Sequence, residues 1–79
     1  MTPQQVADLI RLALPDAHID VRSGDNVHFE SRIVSGAFVG KRPLQRHQMV
    51  YRALGELMGG DIHALSIEAL TPDELAAAG

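Results

Sequence analysis

The sequence has no cysteine and no tryptophan among its 79 residues. Without cysteine there can be no disulfide, and the chain has no thiolate to offer as a nucleophile or metal ligand. Aromatic residues are scarce, two phenylalanines and one tyrosine, so no row of rings is available to stack nucleic-acid bases. No apolar run approaches the ~20 residues that cross a bilayer. The opening Met1-Thr2-Pro3-Gln4-Gln5 has neither the basic start nor the apolar centre of a secretion signal, and a cytoplasmic location is the expectation. The net charge of −3 argues against indiscriminate binding to nucleic acid, while a local basic patch stays open. The length suits one domain spanning residues 1–79, too small to enclose a substrate cavity beside its core.

What is present is periodicity. Thr2, Pro3 and Gln5 have the pattern of an N-cap, a first-turn proline and a capping box. Val6, Leu9, Ile10 and Ala13 then recur at helical spacing until Pro15, which disfavours helical angles in the residue before it. Ala17, Ile19 and Val21 alternate with His18, Asp20 and Arg22. After the turn-forming Ser23-Gly24-Asp25-Asn26, residues Val27, Phe29, Ser31 and Ile33 alternate with His28, Glu30 and Arg32. This period of two predicts an antiparallel hairpin with one polar face. The stretch Ser35 to Arg42 reads as an irregular turn. Pro43 opens a second helix, in which Val50, Leu54 and Leu57 keep helical spacing until Gly59-Gly60, with Gly59 suited to a left-handed cap. Ile62 to Leu70 predicts a third strand with Leu65 and Ile67 on one face. Thr71-Pro72-Asp73-Glu74 repeats the capping pattern before a short last helix. The order α-β-β-α-β-α places a helix between the second and third strands, which implies a right-handed parallel crossover. The predicted fold is α+β, a three-stranded mixed sheet with helices on one face.

Catalytic arrangements are thin, and the composition favours binding over catalysis. None of Ser23, Ser31, Ser35 and Ser66 lies in a nucleophile motif, and Gly36 to Gly40 lacks the glycines that cradle phosphate. The carboxylates are scattered over turns, helix starts and polar faces. Of the histidines, His18 and His28 fall on the polar hairpin face, His47 on the second helix, and His63 directly after the Gly-Gly break. No HxH or HxxxH pair occurs, so His63 can join a metal site only if a partner supplies other ligands. Lys41, Arg42, Arg46 and Arg52 form a basic cluster, which is either a solvated helix start or a patch for phosphate contacts.

Five segments together resemble the BolA family: Phe29 through Ser35, Phe38-Val39-Gly40-Lys41, Leu44-Gln45-Arg46-His47-Gln48-Met49-Val50-Tyr51, Ile62-His63-Ala64-Leu65-Ser66, and Thr71-Pro72-Asp73-Glu74. Their order and spacing agree from about Val6 to Leu75, and the short hairpin loop is similar to that of the compact bacterial branch. The resemblance implies a fold similar to the type II KH domain without its GXXG loop. It implies pairing with a monothiol glutaredoxin around a bridging [2Fe–2S] cluster, held by the glutaredoxin cysteine, a glutathione thiol and the BolA-type protein, in iron–sulfur trafficking or sensing. The isolated protein is then expected to carry no cluster. The family's cluster histidine corresponds to His63. Relatives draw a second ligand, a cysteine or a histidine, from the hairpin loop. This loop has no cysteine and His28 at its end is the only nearby donor, although strict alternation puts His63 on the face of Leu65 and His28 on the opposite one. Relatives often carry tryptophan where Leu75 stands, so a more weakly packed final helix is expected. The family also includes DNA-binding regulators of stress and envelope genes. That role is the alternative reading, and it would draw on Lys41, Arg42 and Arg46.

Overall fold

Helix starts set the frame. In the computed structural model, which describes residues 1–79, helix α1 (Pro3–Ala13) and helix α3 (Pro72–Ala78) begin in the same way. The Thr2 hydroxyl accepts the Gln5 N–H at 3.2 Å, and the Gln5 side chain accepts the Thr2 N–H at 2.9 Å. Thr71 and Glu74 repeat the exchange at 3.1 and 2.8 Å. Helix α2 (Pro43–Leu54) has only the return bond, from the Arg42 N–H to Gln45, because an arginine side chain cannot accept. At the far end of α1, Leu14 leaves helical angles ahead of Pro15 and turns into the core. The apolar position expected of Ala13 is thereby filled by Leu14, and Ala13 faces solvent.

Strands β1 (His18–Arg22) and β2 (His28–Val34) form the antiparallel hairpin, and β3 (Ala64–Leu70) pairs parallel to β2, giving the sheet order β1-β2-β3. α1 and α2 supply Val6, Ile10, Val50 and Leu54 to a core completed by Phe29, Ile33, Phe38, Ile62 and Leu65. The one polar side chain of β2 on this inner face, Ser31, donates its hydroxyl to the Ser66 carbonyl at 2.9 Å. The outer face carries His18, Asp20, Arg22, His28, Glu30 and Arg32, all exposed. Unlike charges meet across it: Asp20 stands opposite Arg32, Arg22 opposite Glu30, and Arg32 pairs with Glu68 of β3. The connection out of β2 is pinned by Asp16, which accepts the Ser35 hydroxyl and the Gly36 N–H, each at 2.8 Å. These two bonds, Ser35 first, hold the Asp16 carboxyl below its usual range.

α2 ends earlier than its apolar spacing predicts. Gly55, at φ +57°, caps it, and a 3-10 turn (Gly55–Leu57) follows. Leu54 and Leu57 still point to the same side, because a 3-10 turn aligns i with i+3 as a helix does. That ambiguity is why the spacing overran the helix. Gly59, at φ +85°, shapes the next turn instead, donating its N–H to the Ile62 carbonyl at 2.8 Å. The third strand correspondingly starts at Ala64 and not at Ile62, which forms an isolated bridge with Met58.

Phe38 is fully buried where the 3-10 turn after β2 (Gly36–Phe38) meets α2. Its replacement by alanine is expected to cost about 3–5 kcal/mol, a large part of the ~5–15 kcal/mol available to a small domain. Urea unfolding should show the midpoint collapsing for Phe38→Ala. A Leu12→Ala control, at a side chain 80% exposed, should move stability by less than about 0.5 kcal/mol.

Candidate functional site

The hairpin loop is a knot of short-range hydrogen bonds. Ser23 accepts the Asn26 N–H at 2.9 Å, and Asn26 takes the left-handed conformation at φ +60°. Asp25 accepts the N–H groups of Val27 and His28 through Oδ1, at 3.0 and 2.9 Å. Its Oδ2 lies 2.7 Å from Nδ1 of the His28 ring. The His28 N–H, then the His28 ring, then the Val27 N–H hold the Asp25 carboxyl far below the usual carboxylate range.

On the other side, the chain reaches β3 through a break in alternation. Ile62 and Leu65 are both buried, and His63 and Ala64 between them are both exposed. The N–H groups of these two residues share one acceptor, the Val27 carbonyl, at 2.8 and 3.2 Å. Two successive residues thus occupy one ladder position, as in a bulge. His63 therefore sits just outside the strand and does not follow Leu65 onto the inner face, contrary to the alternation rule. Because β2 and β3 run parallel with His28 opposite Ala64, the two imidazoles become neighbours. Their ring centroids are 5.2 Å apart, with the planes at 76°. Both residues are exposed, and the His63 ring makes no hydrogen bond within the chain. No group of three or more His, Cys, Asp and Glu side chains is arranged to hold a metal ion. The fold brings two exposed imidazoles together at one end of its sheet.

Composition marks Asp25 only as a turn former, and its grip on His28 is not visible there. The available signal was its place three residues before His28 in a tight loop, where an Asx side chain folds back onto the following backbone. His18 pairs with Val34 at the opposite end of the hairpin, and His47 lies half-buried on α2, so neither joins the pair.

The basic cluster is divided by the fold. Lys41, Arg42 and Arg52 are exposed, but Arg46 is only 8% exposed. Its Nε donates to the Lys41 carbonyl at 2.9 Å, and its Nη1 to the Ala69 carbonyl at 3.0 Å and to Glu74 at 2.5 Å. The guanidinium also lies 5.9 Å from the centre of the Phe38 ring. Arg46 is thus a structural tie between α2, β3 and α3, unavailable for phosphate. Its loss from the candidate nucleic-acid patch follows from Glu74, an acidic partner far along the chain. The remaining cations could neutralise only two or three phosphates, a weak electrostatic anchor.

Relatives of known sequence and structure share this frame. The family profile "BolA-like protein" matches residues 13–74. An Acinetobacter guillouiae protein described as the uncharacterized protein in the rpoN-murA intergenic region is 40% identical over 75 residues, covering 94% of this chain and 89% of that one. Human BolA-like protein 1 is 50% identical over 52 residues, covering 66% of this chain, which spans only 38% of the human protein. A bolA protein homologue from Coxiella burnetii superposes with a TM-score of 0.84 at 38% identity, covering 96% of this chain and 97% of that structure.

The ion pair with Arg46, then the Thr71 N–H, draws the Glu74 carboxyl down to about 2 from 4.5. An unfolded chain binds a proton at Glu74 below about pH 4.5, and the folded chain does so only near pH 2. The stability this group contributes is therefore complete above that window and is lost as pH falls through it. Asp16 and Asp25, also held low, add in the same direction. Replacing Arg46 by methionine strands the Lys41 and Ala69 carbonyls, and the expected cost at neutral pH is about 1–3 kcal/mol. Urea titrations at about pH 7 and about pH 3 should show Arg46→Met less stable at the higher pH and less sensitive to acid than the native chain.

Proposed function

The chain belongs to the BolA-like family, and we propose on that footing that it is an adaptor. It docks a monothiol glutaredoxin and shares with it and with glutathione a bridging [2Fe–2S] cluster, in iron–sulfur trafficking or sensing. The observation that carries this reading is the adjacency of His28 and His63, two exposed imidazoles with ring centroids 5.2 Å apart. Imidazole is a competent iron ligand, and the donor set fits a cluster whose remaining ligands are thiolates. A chain without cysteine cannot complete such a set, so the thiolates come from the glutaredoxin cysteine and from glutathione. Imidazole in place of thiolate lowers the negative charge on the cluster and raises its potential.

The chain's own contribution is placement. The shared Val27 carbonyl fixes the backbone of His63 against the start of β2, and the ring, free of internal hydrogen bonds, keeps its nitrogens for an external centre. His28 stands beside it on the uncovered face of the sheet. Both donors lie in the open, where a second protein can reach them.

The reading is tested by reconstituting the chain with a monothiol glutaredoxin, iron, sulfide and glutathione, and recording visible absorption and circular dichroism. A heterocomplex is expected, with a spectrum distinct from that of the glutaredoxin homodimer. His63→Ala should return the spectrum to the homodimer form, and His28→Ala should weaken cluster retention without abolishing the complex. An unchanged heterocomplex spectrum in His63→Ala would remove His63 from the ligand set.

A further inference from the structure

The two imidazoles are not equivalent. The His63 ring has no hydrogen-bond partner in the chain, whereas the His28 ring is held from behind by Asp25. That carboxylate is itself clamped: its Oδ1 is occupied by the N–H groups of Val27 and His28, so the backbone carrying the imidazole also fixes the group that grips it. Only Oδ2 is left, 2.7 Å from Nδ1. An ionised carboxylate can only accept, so the ring nitrogen facing it must carry the proton.

We infer that Asp25 is a positioning residue of this site: it holds His28 as the Nδ1–H tautomer, leaving Nε2 unprotonated and open to a metal centre brought by the partner. The consequence for the cluster rests on the adaptor reading; the tautomer and ring orientation do not. A carboxylate behind a metal-ligating histidine fixes its tautomer and raises its basicity. His28 is thus pre-set before any partner arrives, and His63 can present either nitrogen.

Asp25→Asn separates this role from that of a loop brace. Asparagine keeps the shape and an Oδ1 acceptor for the two backbone N–H groups, but turns an amide donor toward Nδ1. The proton then moves to Nε2, and the lone pair needed for coordination is lost. The first measurement is long-range 15N–1H correlation of the imidazoles in the isolated chain at about pH 8.5, where histidine is mostly neutral. His28 should be mainly Nδ1–H in the native chain and mainly Nε2–H in Asp25→Asn, with His63 the same in both. A native His28 that is mainly Nε2–H overturns the inference with no need for a variant. So does an unaltered His28 tautomer in an Asp25→Asn chain whose other backbone amides are unshifted.

The second measurement is cluster retention in the reconstituted heterocomplex. Asp25→Asn should weaken it about 10–100-fold, matching His28→Ala and leaving His63 ligation in place. Native-like retention in Asp25→Asn despite an inverted tautomer would overturn the role. If the native chain forms no heterocomplex, the adaptor reading falls, and the tautomer measurement still decides whether Asp25 sets His28.

Discussion

The parallel pairing of β2 with β3 is the constraint on which the rest of the molecule depends. It aligns seven residue pairs from His28 with Ala64 to Val34 with Leu70. Parallel neighbours start at the same end of a sheet, so the chain must travel back through α2 before the ladder can close. That return path buries Val50 and Leu54 in the same core cluster as Phe29 and Ile33, and it brings the residue before β3 to the first residue of β2. Side-chain links across the same seam, Ser31 to the Ser66 carbonyl and Arg32 to Glu68, hold the register on both faces of the sheet. The meeting of two histidines from distant segments is a geometric result of this topology.

Much of the frame was legible in the residues because it rests on local rules. Thr2 with Gln5 and Thr71 with Glu74 declare helix starts through hydrogen bonds that span three residues. The polar and apolar alternation of 17–33 declares a hairpin with one wet face. What escaped was decided by contacts that no short window contains. Helical spacing could not tell an α-helix ending at Gly55 from one reaching Gly59, since the intervening 3-10 turn keeps Leu57 on the same side. Alternation put His63 on the wrong face because nothing in its neighbours reveals that Val27 offers one carbonyl to two N–H groups. Arg46 looked like a surface cation among Lys41 and Arg42, and its partner, Glu74, lies on another helix.

The fold divides its charged residues between two tasks. Arg46 and Glu74 serve as a fastener, and their ion pair ties α3, a helix with no buried residue, to α2. The outer sheet face pairs its charges across strands, so it is highly polar while carrying little excess of either sign. Against that balanced background the end of the sheet is distinctive. Two imidazoles stand there with a single carboxylate behind one of them, in a chain that has no thiolate to set beside them.

The crossover has a consequence for timing during synthesis. A nascent chain that has emerged only through α2 already contains Asp25 and His28, whose contacts in the finished fold lie inside one turn. It has no His63, because that residue and the strand that seats it come later. A growing polypeptide therefore has one of the two imidazoles and no pair until the last strand docks. The imidazole pair comes into being with the finished sheet, and an incomplete chain lacks it.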